Sequence, residues 1–166
     1  MAFVRTKNIK GQHYGYLVEN YWQAGKTKQR VSKYLGKIYT PEKQQDISIP
    51  SLPETYTDAL IEAVAWELSK HGFNRTGKQM IKDGIIVDFS NHTVRGKSNA
   101  VLKLNEGFLC EHTLKQMVSY IPSSEYPEKE GPRFASMLLE AGISKDAFVE
   151  LYERVHKLFK DEANQN

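Results

Sequence analysis

The stretch FVRTKNIKGQHYGYLVENYWQAGKTKQRVSKYLGKI, residues 3–38, constrains the fold more than any other. Its runs of aromatic and β-branched residues are broken at short intervals by glycine. Residues 3–9 form a first strand, Lys10-Gly11-Gln12 a turn, and residues 13–22 a second strand. Ala24-Gly25 turns the chain again, with glycine free to take positive φ, and residues 29–35 form a third strand that stops at Gly36. The pattern predicts a three-stranded antiparallel sheet module over residues 1–40.

Residues 41–56 read differently. Pro41, Pro50 and Pro53 remove backbone donors and fix φ, so this span is a proline-rich linker and not an element. It either ends a domain or wraps the body. From Thr57 the period changes to three and four. Leu60, Ile61, Val64, Ala65 and Leu68 form one face of a helix that ends at Gly72. GIIVDF and AVLKL are two short strands around a polar loop over 90–99, and a helix follows over about 109–120. Pro122, Pro127 and Pro132 break the chain, and two helices close it, over 133–141 and 145–159, with Gly142 between them and Ser144 at the N-cap. The fold class is α+β: the sheet module, the linker, and a mixed α+β body over 57–166 that ends in a helical hairpin.

Charge is distributed unevenly along this plan. The net charge of +3 conceals eight basic residues against one acid in residues 1–40, and seven against eleven in residues 104–166. Residues 70–103 are again basic. A cationic front and an anionic back suit a polyanion on one side; the plainer alternative is an unevenly charged solvated surface. The acidic end, with Glu140, Asp146, Glu150 and Glu153, is expected to lie away from nucleic acid or to meet a basic protein.

The strand period sorts the module's side chains. With two-residue turns, Tyr14, Tyr16, Val18, Trp22, Val31 and Leu35 share one side, which is expected to pack on the body. Leu17, Glu19, Tyr21, Lys28, Arg30, Ser32 and Tyr34 share the other. Cations interleaved with flat rings hold phosphates and stack on unpaired bases, as single-stranded or looped RNA requires. Arg5 and Lys7 fall on the apolar side in this register. Either they reach out from an edge strand, or a bulge near Lys10-Gly11 turns the strand over.

The same residues carry a resemblance. The pattern of Lys10, Gly11, Tyr14, Tyr16, Leu17, Val18 and Glu19, a turn at Gly25, then Gln29, Arg30, Val31, Tyr34, Leu35 and Gly36, resembles a short N-terminal module of archaeal and bacterial transposase-type proteins and of small archaeal proteins. It covers residues 3–38 only. The resemblance implies nucleic-acid contact without catalytic residues. The rest of the chain is too short for a transposase nuclease domain and shows no triad of separated acids.

Other chemistry finds little support. FNRTGKQM has Gly-Lys without the upstream glycine of a phosphate loop. Cys110 and His112 point apart on a helix, so a buried cysteine and a surface histidine are expected. With one cysteine the chain has no internal disulfide, and its five histidines lack metal spacing. The hairpin tip SNHTVRGKSNA offers Arg95 and Lys97 to phosphates. The last two helices imitate a helix-turn-helix, but the second presents Asp146, Glu150 and Glu153 where a base reader needs donors.

The chain is thus expected to be a non-enzymatic nucleic-acid-binding protein without cofactor or metal. It is expected to bind structured RNA, with a place at the ribosome as the architectural expectation; the alternative is a DNA-binding accessory protein related to mobile elements. No run is long enough to span a membrane and no secretory signal is evident, so a cytoplasmic location is expected. The candidate contacts are Arg5, Lys7, Lys10, Tyr21, Lys26, Lys28, Arg30, Lys33, Tyr34 and Lys37 in the module, with Arg95 and Lys97 in the body.

Overall fold

The computed structural model describes residues 2–122 and 127–165. The opening folds as the glycine punctuation predicts: β1 (Ala2–Ile9), β2 (Gln12–Gln23) and β3 (Lys26–Tyr39) form an antiparallel meander. Both connections are two-residue turns with positive φ at each position, 52° and 80° at Lys10-Gly11 and 51° and 73° at Ala24-Gly25. That geometry matches the right-handed twist of the flanking strands.

The module does not end at residue 40 as a sheet. Lys37, Ile38 and Tyr39 pair in parallel with Ala100, Val101 and Leu102 of β8 (Ala100–Leu104), and β9 (Gly107–Leu109) completes a five-stranded sheet in the order β1-β2-β3-β8-β9. This sheet curls. Ala2, Phe3 and Val4 from one edge strand and Gly107 and Phe108 from the other line a single cleft of about 200 Å³.

Between β3 and β8 lie the linker, α1 (Tyr56–Lys70) and a second sheet. The linker wraps the body. Gln44 donates its backbone N–H to the Lys70 carbonyl (2.8 Å), Trp66 Nε1 donates to the Ile47 carbonyl (2.8 Å), and Leu52 is buried. The expected strand GIIVDF is part of a four-stranded antiparallel meander of β4 (Asn74–Thr76), β5 (Gln79–Lys82), β6 (Ile85–Asp88) and β7 (Thr93–Arg95), the last of which lies within the loop expected over 90–99. All four strands are only three or four residues long, and β4, β5 and β7 are polar outside Met80, Ile81 and Val94, so alternation has little room to show.

Two more helices precede the last, α2 (Glu111–Val118) and α3 (Pro127–Glu140). The expected break over 122–132 is shorter than the prolines suggest. Pro127 opens α3, a position that tolerates proline because its N–H would be unbonded anyway, and Pro132 lies within it. A turn of 3₁₀ helix (Lys145–Ala147), capped by Ser144 Oγ accepting from the Asp146 N–H, leads into α4 (Phe148–Gln165).

The main core joins Leu60, Val64 and Leu68 of α1 to Met80 and Val87 of the second sheet. It continues through Leu102 and Leu104 of β8 to Phe134 and Leu138 of α3 and Leu151 and Val155 of α4. One buried carboxylate ties three elements together. Glu67 accepts from Lys70 Nζ (3.1 Å), Asn105 Nδ2 (2.9 Å) and the Ser144 N–H (3.1 Å), linking α1 to the β8–β9 turn and to the entry of α4. A smaller core of Leu17, Leu35, Ile38, Val101 and Cys110, with Val4 and Phe108 beside it, fills the inner side of the curled sheet. Among the described residues no helix is long and apolar enough to cross a membrane.

Candidate nucleic-acid interface

The side of the first module that packs is not the one the simple alternation selects. Two register shifts interrupt the β2–β3 ladder, between Gly15 and Tyr16 and between Leu17 and Val18. Each inserts a residue into β3, and each such bulge inverts the phase of the residues beyond it. Tyr16 therefore pairs with Tyr34, Leu17 with Lys33 and Val18 with Val31. The inner side carries Val4, Leu17 and Leu35, covered by Val101, Cys110 and Phe108. Tyr14, Tyr16, Trp22 and Val31, expected to pack on the body, face outward instead, and Tyr34 joins them.

The outer face is built from the centre of the sheet. Tyr16 and Tyr34 have ring centroids 5.3 Å apart, and Tyr14 lies 6.3 Å from Tyr34. Arg5 pairs with Tyr16 and Lys7 with Tyr14 in an unbroken β1–β2 register, so no bulge follows Lys7 and both cations stand on this face. Lys7 Nζ sits over the Tyr16 ring at 4.8 Å from its centroid. Lys37 pairs with Tyr14 from the other side and lies 5.2 Å from the Tyr39 ring. Arg5 Nη1 reaches across β2 to donate to Gln29 Oε1 (2.8 Å), above the buried Val18. Burial, then the neighbouring Tyr16, Tyr14 and Tyr39 hydroxyls, pushes the Tyr34 phenol above its usual value, so the ring stays neutral across the physiological range. In register order this face reads Arg5, Lys7, Tyr14, Tyr16, Val18, Trp22, Val31, Tyr34, Lys37 and contains no acid.

Beyond the last β1–β2 pair, Ala2 with Glu19, β2 and β3 continue as a bare two-stranded ribbon. Its outer face ends in Trp22, 72% exposed, one pair from the Ala24-Gly25 turn. Its inner face carries Tyr21, Lys26, Lys28, Arg30 and, at the root, Lys33. The charges here are partly answered. Arg30 donates to Glu19 Oε2 (3.0 Å) while lying 5.7 Å from the Tyr21 ring, and Lys28 Nζ donates to Gln23 Oε1 (3.0 Å).

Lys33 and Arg95 converge on α2. Both help hold the Glu111 carboxyl below its usual range, after the dominant bond from Lys115, and Lys33 adds to the burial that lowers the His112 imidazole. Lys97 is exposed in the loop that brings Asn99 against Gly36 of β3. Lys10 stands apart at the β1–β2 turn. Cys110 is buried at the start of α2, where burial raises its thiol, and the neighbouring His112 is half-buried.

Elsewhere among the described residues several cations are spent on acids: Lys70 on Glu67, Arg75 on Glu62, Lys115 on Glu111, Arg154 on Glu150 and Lys157 on Glu54, while Lys78, Lys103 and Lys145 are not. Among the described residues Arg5, Lys7, Lys10, Lys26, Lys28, Lys33, Lys37, Arg95 and Lys97 have no such ion pair. No family model matches the chain, no curated protein matches it, and no solved structure matches it.

Proposed function

We propose that this protein binds structured RNA through the outer face of its first three strands, and that its role is recognition and not catalysis. The carrying observation is the face that joins Tyr14, Tyr16 and Tyr34 to Arg5, Lys7 and Lys37 with no acid among them. Rings spaced along a strand offer stacking platforms to unpaired bases. The cations beside them track the backbone, and this combination is how sequence-tolerant sheet modules hold single-stranded segments. The ribbon's inner cations add phosphate contacts at the margin. Association with the ribosome is consistent with a second feature: exposed Asp146 and Glu153 at the far end suit a Lys- and Arg-rich protein neighbour and repel phosphates.

The test is equilibrium binding of a looped RNA at several salt concentrations. Lys7→Glu with Lys37→Glu should weaken binding and flatten its salt dependence by roughly 1.4 units of log K per log salt, the share of two phosphates on a single strand. Tyr34→Ala should cost about 1–3 kcal/mol with the salt slope unchanged. Wild-type affinity and slope in both variants would remove the outer face from the site.

A second reading has its own support. A bare two-stranded ribbon is a shape the major groove of B-form DNA admits, whereas the deep, narrow major groove of RNA does not. A DNA-binding accessory protein related to mobile elements would use the ribbon in that way. Tighter binding to duplex DNA than to looped RNA, with a defined footprint, selects this reading.

A further inference from the structure

Trp22 is the most exposed large apolar side chain of the described residues, and nothing in the fold explains its position. It stands on the acid-free outer face at the end of the ribbon, paired with Thr27, where no third strand or helix among the described residues supports it. Lys26 and Lys28, on either side of Thr27 in sequence, stand on the opposite face of the same ribbon without acidic partners among the described residues. Six residues of extended chain separate it from Tyr16, about 20 Å at the usual strand rise. One face thus holds two aromatic stations: a packed tyrosine cluster at the centre and a lone indole at the tip, bridged by Val31, Asn20 and Gln29.

The two stations suit different parts of one ligand. Tyr14 and Tyr16 are partly buried, and both rings contact the exposed Tyr34, so the three present a fixed wall for unpaired bases. The indole projects from a thin ribbon, where it can cover the open face of a terminal base pair or enter a step that is already weakened. Unstacking costs least at a helix end, which is where an apolar wedge is most favourable. Lys26 and Lys28 on the ribbon's inner face, and Arg5, Lys7 and Lys37 beside the tyrosines on the outer face, are placed to meet the phosphates of two strands as they part.

We infer that the ligand is the junction where an RNA helix opens into a single strand. Trp22 stacks on the last base pair, and a few unpaired nucleotides run along the outer face to Tyr16, Tyr34 and Tyr14. This rests on the RNA-binding reading above, and it adds the kind of RNA and the residue that selects it.

The experiment compares the full chain on three RNA probes: a hairpin with a single-stranded tail, the same hairpin blunt-ended, and the tail alone. The tailed hairpin carries 2-aminopurine in its last pair. The expected order is tailed hairpin first, by about tenfold or more over either half, a difference within the range of one base–aromatic stack. Affinity should rise with tail length until the tail spans the distance to the tyrosines, and then level off. Trp22→Ala should abolish the preference and the 2-aminopurine signal while tail binding and the salt slope persist; Trp22→Phe should keep part of both. Circular dichroism verifies the fold of each variant. Binding without junction preference, or a preference that survives Trp22→Ala in a folded chain, overturns the inference alone. Failure of every RNA probe to bind at low salt overturns the RNA-binding reading itself.

Discussion

Gly36 and Gly11 both hold positive φ, 128° and 80°, and differ in their surroundings. A methyl group on Gly11 would meet nothing within 4 Å, whereas one on Gly36 would overlap the carbonyl oxygen of Asn99. Gly11→Ala should therefore cost only the backbone strain, about 1–2 kcal/mol. Gly36→Ala adds a clash with main chain at the seam where β3 joins β8, and should cost more than about 3 kcal/mol or prevent folding. Urea denaturation of both variants tests this, and equal losses would contradict it. The glycine turns were legible because backbone sterics act locally. The faces of Tyr34 and Leu35 were not, because the first β3 bulge inverts the side chains up to the second, which restores the phase, and bulges carry no reliable signature in sequence. Arg5 and Lys7 were placed correctly among the tyrosines, yet they looked out of place there because that side was expected to be buried.

At the scale of elements, the helices of α1 and α4 announced themselves by their apolar spacing, while β4, β5 and β7 were too short to do so. The linker shows how an irregular segment becomes part of the fold. Arg154 on α4 donates from Nε to the Pro53 carbonyl and from Nη2 to the Leu52 carbonyl, both at 2.9 Å, and Leu52 is buried beneath. Proline had indicated an extended path without indicating what it lay against, since that depends on a residue a hundred positions away. Arg154→Ala should cost about 1.5–3 kcal/mol, as expected for charge-assisted bonds to partly buried carbonyls. It should also make residues 40–55 the first site of limited proteolysis. A cleavage pattern identical to wild type would show that the linker is held by its other contacts alone. The ribbon is the opposite case: an element that leaves the body after Glu19 and packs against none of the other described elements, which is difficult to account for by stability.

For the whole molecule, the cationic first module and the acidic last helices belong to one continuous structure. β3 joins β8, and Phe134, Leu138, Leu151 and Val155 of α3 and α4 complete the core that β8 supports. The charge asymmetry read from the chain survives folding, but not as two separate lobes. Glu140 lines the cleft beside Ala2 and Phe3, at the ribbon's root on the inner side, and burial raises its carboxyl above the usual range. The outer face alone is free of acids, which is why it and not the inner face is assigned to RNA. The most direct measurement is a map of amide chemical shifts in the full chain as a looped RNA is added. The account predicts perturbations along Arg5, Lys7, Tyr14, Tyr16, Trp22, Val31, Tyr34 and Lys37, with α3 and α4 silent; perturbations centred on α3 and α4, with that face silent, would contradict it.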